Sequence, residues 1–262
     1  MSDEHKLYLK KRNRKKRLVL LTQIIIFITF IAAWEAASYY SLINPFLTSS
    51  PSNIIKTIIE LYNEGTLFNH ILITAYETFI SFGLGTIIGI LIASIMWWNN
   101  FFAKVLNPYL TVLNSLPKVA LGPILIIWAG ANMSSIIIMA LLISVIITII
   151  TVYHGFSSTD ENKIKLLKSF NVTKLQLFIY LILPGNMNNI FNALKINISM
   201  SLIGVIMGEL LVSKEGIGYL IMYGSQVFNL NLVMTGIVLL CIISFIMYYI
   251  IIIIEKKLIK YN

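Results

Sequence analysis

Apolar residues in this chain gather into six runs of membrane-crossing length, at about 18–40, 68–97, 104–129, 133–155, 187–211 and 230–255, with short polar stretches between them. A hydrocarbon core about 30 Å thick takes roughly 20 residues of α-helix. None of the runs alternates apolar and polar positions as a barrel strand would. In lipid, moreover, a helix satisfies its backbone groups within its own segment. The pattern therefore predicts an all-α membrane protein of six transmembrane helices, with both chain ends on one side.

Composition and charge sharpen this. Hydrophobic residues make up 58% of the 262 positions and charged ones only 12%, against about 25% charged in an ordinary soluble domain, so a wetted surface is excluded. The net charge of +9 is concentrated: Lys6, Lys10, Lys11, Arg12, Arg14, Lys15, Lys16 and Arg17 all precede the first run. A basic cluster can bind nucleic acid, but next to a hydrophobic segment it fixes orientation and attracts anionic membrane lipid. Residues 1–17 then form a basic cytoplasmic segment and 18–45 carry the first anchor helix. Lys104, Lys163, Lys165, Lys168, Lys174, Lys195, Lys256, Lys257 and Lys260 fall inside, and little more than Lys56 and Lys214 outside. A signal-peptide core spans about 7–15 apolar residues. The first run is longer and has Trp34-Glu35 where a cleavage site would need small residues, so an uncleaved anchor is expected. The lone Cys241, within an apolar run, forms no intrachain disulfide.

In the outer segment 41–66, Ser50 precedes Pro51 as an N-cap precedes a first-turn proline. Ile54, Ile55, Ile58, Ile59 and Tyr62 recur at helical spacing, and Gly65 can close the helix. This predicts an amphipathic helix packed on the membrane surface, or alternatively a receiver for an external partner.

Residues 160–184 (DENKIKLLKSFNVTKLQLFIYLILP) are the one long charged stretch between membrane-length runs. Asp160 and Glu161 suit a helix N-terminus. Ile164, Leu167 and Phe170 form a stripe opposite Lys163, Lys165 and Lys168. Asn171 tolerates the left-handed conformation that ends a helix. Thr173 and Gln176 have capping-box spacing for the next helix, and Pro184 is expected to stop it. The prediction is a helix–turn–helix with Phe170 near its corner.

The spacing of Lys165-Leu166-Leu167, Asn171, Leu181 and Leu183-Pro184 resembles the cytoplasmic EAA motif of membrane subunits in binding-protein-dependent ABC importers. Lysine replaces the glutamate, leucines the alanines and asparagine the glycine. Further stretches are similar to the nitrate/sulfonate/taurine branch of these permeases: FLTSSPSNI from residue 46, LPKVALGPILIIWAG at 116–130 and GELLVSKEGIGYLI at 208–221. The resemblance implies a type I ABC importer permease fold over 46–262 and a homodimeric pathway in a bacterial cell membrane. It also implies two cytoplasmic ATPase subunits, an extracytoplasmic solute-binding protein, and loop 160–184 as the element that docks into each ATPase. ATP and Mg would sit on the partner and no cofactor on this chain. The residues agree: there is no G-x-x-x-x-G-K-[ST] loop and no Gly-Lys pair. Phe170 flanked by lysines has the form of an apolar anchor with a charged rim. The rival reading of the loop is packing on the bundle alone.

A charge at mid-bilayer costs at least about 2.5–3.5 kcal/mol, so each intramembrane one asks for a partner. Glu35 is expected to reach the outer interface. Glu77, where the family often has a basic residue, is expected to bond a neighbouring helix or the partner protomer. Lys118 lies between Pro117 and Gly122-Pro123 in a span that also holds Pro108; broken helix of this kind faces protein or a water-filled pathway. Lys118 can attract an anionic solute, pair with Glu209 or snorkel. Glu209 ends the fifth span just before 213–218, which the resemblance makes an outer gate, with Gly216 and Gly218 supplying freedom to the turn; an ordinary outer loop is the alternative. Gly83, Gly85 and Gly89 are expected at a close helix contact. His5, His70 and His154 have no ligand spacing, no nucleophile–base grouping is visible, and neither a metal site nor an enzyme is expected.

An ion-coupled secondary transporter would want more buried carboxylates and related halves, and a mere scaffold gains nothing from a proline-broken span. The resemblance implies a small anion such as a sulfonate, taurine or nitrate as solute, with a pyrimidine thiamine precursor or riboflavin-like vitamin as the alternative.

Overall fold

The structure, a computed structural model, describes residues 3–259. Lys260, counted above with the inner charges, lies outside the described residues, as do the side chains of His5, Lys6 and Lys10. Every regular element among the described residues is helical. Helix α1 (Asp3–Tyr39) has an apolar stretch, Lys11–Tyr39, that is exposed up to Phe30 and partly buried towards its C-terminal end, where Ser38 is buried. It meets α2 (Pro45–Thr48) and α3 (Pro51–Asn63). Glu35 does more than reach an interface: it accepts from the Ser52 amide at 3.0 Å and the Ser52 hydroxyl at 2.6 Å. Ser50 Oγ accepts from the Asn53 amide at 3.2 Å, so the start of α3 is capped twice over.

The predicted amphipathic helix forms, and one of its faces packs on the bundle. Ile54, Thr57 and Leu61 are buried, and Leu61 packs with Leu67, Leu220, Leu232 and Leu239, while Ile55, Ile59 and Tyr62 remain exposed. The helix has two apolar sides, and burial of Leu61 with residues of α12 (Ile217–Gln226) and α13 (Leu230–Leu258) decides which faces inward. Gly65, at φ +75°, ends it.

The centre of the bundle is α7 (Met133–Ser157), held between α4 (Leu67–Trp98) and α11 (Met187–Val212). Small residues set the spacing. A Cβ on Gly85 would stand 2.8 Å from Ser144 Oγ, and one on Gly89 2.5 Å from Thr148 Cγ2. On the other side, a Cβ on Gly204 would stand 2.4 Å from the Ala140 Cα, and one on Gly208 2.9 Å from the Ile136 Cα. Both pairs are four residues apart, the spacing by which helices in lipid approach closely. Gly83 does not share this role: open space surrounds it. Two residues of helix rotate it by about 200° away from Gly85. Buried polar groups pair within the bundle, as where Asn197 Nδ2 donates to Thr86 Oγ1 at 2.8 Å and Ser201 Oγ to Asn197 Oδ1 at 3.2 Å. Lys195 on α11 bonds Glu255 on α13 at 2.7–2.8 Å.

The third span is bent far more sharply than one helix holding several prolines would be. Helix α5 (Asn100–Ser115) and the stretch Lys118–Ala129, a 3-10 turn leading into α6 (Gly122–Ala129), meet at 87°. Pro117 stands at the break. Pro123 opens α6, where a missing N–H removes nothing.

The polar stretch folds as α8 (Glu161–Ser169), α9 (Lys174–Leu177), a π turn over Phe178–Ile182 and α10 (Leu183–Gly185). Pro184 does not stop the helix, which continues through Gly185 and breaks at Asn186. The π turn resets the hydrogen-bond ladder, so Pro184 falls in the first turn of a new α segment, where no donor is needed.

Candidate functional sites at the two ends of the bundle

The elbow of α8 and α9 is built by local capping. Asp160 Oδ1 accepts from the Asn162 amide at 2.8 Å. Asn171 takes φ +59° at the corner. Thr173 and Gln176 cap each other: the Thr173 amide donates to Gln176 Oε1 at 2.8 Å and the Gln176 amide to Thr173 Oγ1 at 3.3 Å. The Lys165–Glu161 pair, 3.5 Å apart and exposed, contributes little beyond solubility. Phe170 at the corner is 70% exposed, with Leu166, Leu175 and Tyr180 also exposed, whereas Leu167 is half-buried and Ile164 packs against the bundle. Leu181 is half-buried, and Lys165, Asn171 and Pro184 are exposed.

Contacts between distant segments, with no local signature, fasten this elbow. Phe178 packs on Trp97 at 5.1 Å between ring centres and edge-on to Phe156 at 5.5 Å. Lys174 Nζ lies 5.8 and 5.7 Å from the ring centres of Trp97 and Trp98 and donates to the Trp98 carbonyl. Asn186 Nδ2 donates to Thr159 Oγ1 at 2.8 Å, tying the far end of the elbow to its start.

At the opposite end, Glu209 is buried with both oxygens bonded. Oε1 accepts from Thr74 Oγ1 at 2.6 Å and Oε2 from the Gly218 amide at 2.5 Å. The Ile217 amide donates to Thr74 Oγ1 at 2.8 Å, and the Gly216 amide to His70 Nδ1 at 3.0 Å. Three consecutive amides at the start of α12 are thereby held by α4 and α11, an acceptor arrangement suited to a helix N-terminus. Gly216 has φ +100°, and a Cβ there would come within 2.4–2.6 Å of the Glu209 carboxylate atoms. Gly218 is required for space rather than freedom, since its Cβ would stand 2.7 Å from Glu209 Cβ. Glu77, also buried, lies against Glu209 across the α4–α11 contact, as the expected bond to a neighbouring helix requires.

Glu209, Gly216 and Gly218 thus form one cluster, to which the structure adds His70, Thr74 and Glu77. Lys118 does not join it: its Nζ donates to the Asn114 carbonyl at 3.1 Å, one turn back on the broken span. The pairing with Glu209 is excluded because Glu209 is already saturated by α4 and α12. Pro117 and Pro123 are exposed beside Lys118, and Ile127 and Trp128 are exposed on α6.

The bundle thus combines a sharply broken span, a docked α12 and a protruding elbow. Residues 85–260, about two thirds of the chain, match the profile of the family described as "Binding-protein-dependent transport system inner membrane component". The chain belongs to this family and is a multi-pass permease of the ABC-importer type. It is 28% identical over 205 residues to the formylaminopyrimidine transport permease protein ThiX of Halalkalibacterium halodurans, covering 78% of this chain and 81% of that one. It is 24% identical to the putative aliphatic sulfonates transport permease protein SsuC of Bacillus subtilis, covering 97% and 92% of the two chains. Its identity to the taurine transport system permease protein TauC of Escherichia coli is 21%, over 91% and 90%. The fold is that of a chain of the MetNI methionine ABC transporter in an inward-facing conformation: TM-score 0.66 at 16% identity, covering 74% of this chain and 96% of that one.

Proposed function

We propose that two copies of this chain form the solute pathway of an ATP-driven importer and that the α8–α9 elbow is the handle by which two cytoplasmic ATPase subunits move it. ATP and Mg belong to those subunits, and an extracytoplasmic binding protein delivers the solute to the α12 end. Both chain ends then lie in the cytoplasm of a bacterial cell. The observation that carries this reading is Phe170: a large apolar side chain, 70% exposed, on an elbow otherwise pinned to the bundle by Lys174 and Phe178. An anchor that projects from a rigid base transmits force in a way that a floppy loop does not. Closure of the ATPases drives the pathway only if the elbow is bonded differently to their two states, since equal affinity for both shifts nothing.

The solute is a small anion of the sulfonate, taurine or nitrate kind. Likeness to SsuC along nearly the whole chain, and to TauC, supports the sulfonate class. A pyrimidine thiamine precursor is the second reading, favoured by the likeness to ThiX. Phe170→Ala tests the handle: the variant should insert into the membrane normally, lose at least tenfold in ATPase copurification, and abolish uptake. Uptake at the wild-type rate would refute the coupling role.

A further inference from the structure

Helix α5 presents three different faces. Ala103 and Leu110 are buried against Met96 of α4 and against Ile146 and Ile149 of α7. On one flank of that buried face Phe101, Val105, Tyr109 and Val112 follow one another at intervals of three or four residues, all of them exposed. On the other flank the residues at such intervals are Lys104, Asn107, Thr111 and Asn114, also exposed. At about 100° of rotation per residue these are two separate stripes. Lys118 continues the polar stripe past the end of α5, since its Nζ lies 3.1 Å from the Asn114 carbonyl. Pro108 adds to that side by removing the donor that the Lys104 carbonyl would otherwise meet.

The apolar flank suits lipid and the polar one does not. Exposed lysine, asparagine and threonine side chains within a span would lose their hydrogen-bond partners in hydrocarbon. Helix α4 shows what lipid contact requires: from Leu72 to Ile95 every exposed side chain is apolar or aromatic. The polar flank of α5 therefore faces water inside the membrane. Its charge has a single sign, because Lys104 and Lys118 are the only charged residues between 100 and 129. Amide and hydroxyl groups set between two cations favour a hydrated anion over a cation. We propose that the face of α5 carrying Lys104, Asn107, Thr111, Asn114 and Lys118 is the wall that each copy contributes to the solute path, with the anion passing along it between the two lysines. This rests on the importer reading above and assigns residues to its pathway.

The test uses the assembled complex of permease and ATPases in inside-out membrane vesicles. In a Cys241→Ser background, single cysteines replace Asn107, Thr111 or Asn114 on the polar flank and Val105, Tyr109 or Val112 on the apolar one. The probes are two membrane-impermeant methanethiosulfonates of similar size, one ending in a sulfonate and the other in a quaternary ammonium. Thiolate is the reactive form, so cysteines on the polar flank should react at least about tenfold faster than those facing lipid. The sulfonate reagent should be the faster there, relative to the rates of both with a free thiol in solution. Lys118→Gln should lower that preference at position 114 by about two- to fivefold. Trapping the ATPases closed with ATP and vanadate should slow labelling at 111 and 114 at least about tenfold, as closure of the inner end of a path requires. Equal rates on the two flanks would overturn the assignment. So would rates at 111 and 114 that ignore the trapped state, since a helix lying flat on the membrane surface behaves in that way. A preference for the ammonium reagent, or one that Lys118→Gln leaves unaltered, would overturn the passage of an anion between the lysines. Three positions report on each flank, so a variant that fails to assemble leaves the comparison standing. Failure of the importer reading looks different, since no ATPase would then copurify.

Discussion

Consider residue 209, where a carboxylate in the membrane would cost at least about 2.5–3.5 kcal/mol if left bare. Instead it receives the Thr74 hydroxyl and the Gly218 amide, and Gly216 passes beside it with φ +100° because no Cβ fits there. Removing the acceptor strands two buried donors at about 1–3 kcal/mol each. Glu209→Ala should therefore lower the thermal stability of the purified complex and release the start of α12, whereas Glu209→Gln, which retains one acceptor oxygen, should lose less. Thermal unfolding of both variants in one detergent checks the order; equal losses would mean that the carboxylate acts through charge alone. The sequence exposed Glu209, Gly216 and Gly218 because they stand within ten residues of one another. It hid His70 and Thr74, whose bonds to 216 and 217 span 146 and 143 positions.

The same contrast between local and distant signals governs whole elements. The elbow was legible because its determinants are near neighbours: Asp160, Asn171, and Thr173 with Gln176 act within three or four residues, and each behaves in the structure as its chemistry demands. The extra course of helix past Pro184 was not, since it depends on a π turn that no local residue marks. The attachment of the elbow was also invisible, because Lys174 meets Trp98 from 76 positions away. That attachment is the stiff link between α4 and the proposed handle. An exposed cation–π contact is worth about 0.5–1 kcal/mol, enough to change coupling without unfolding anything. Lys174→Met should leave ATPase copurification intact, because Phe170 is untouched, yet lower solute moved per ATP by about two- to fivefold. Parallel uptake and hydrolysis assays in proteoliposomes measure that ratio, and an unchanged ratio would show that the elbow needs no such link.

At the scale of the whole molecule the six crossings read from the sequence depend on what the broken third span does. Among the described residues five helices are long and apolar enough to span alone, and the α5–α6 pair, bent by 87°, either crosses or turns back. Contacts between distant segments answer this. The C-terminal end of α4 touches the elbow through Trp98 and Lys174, so both lie at one end of the bundle. The first turns of α4 share a cavity with Asn132 before α7 and with Lys214 after α11, so these lie at the other end. A chain that leaves α4 at one end and starts α7 at the other has crossed in between, and α5 with α6 is the only stretch available. Six crossings follow. The Lys195–Glu255 pair adds that α13 finishes at the end where α11 starts. The basic residues in the first part of α1 predict that this end is cytoplasmic, and single cysteines placed in a Cys241→Ser background test the absolute orientation. A cysteine at Asn162 or Lys256 should react with a membrane-impermeant maleimide only in inside-out vesicles, and one at Ser52, Asn132 or Lys214 only in intact cells. Labelling of position 162 from outside would remove the elbow from reach of any cytoplasmic motor. Labelling of 132 and 162 from the same side would mean that α7 does not span at all.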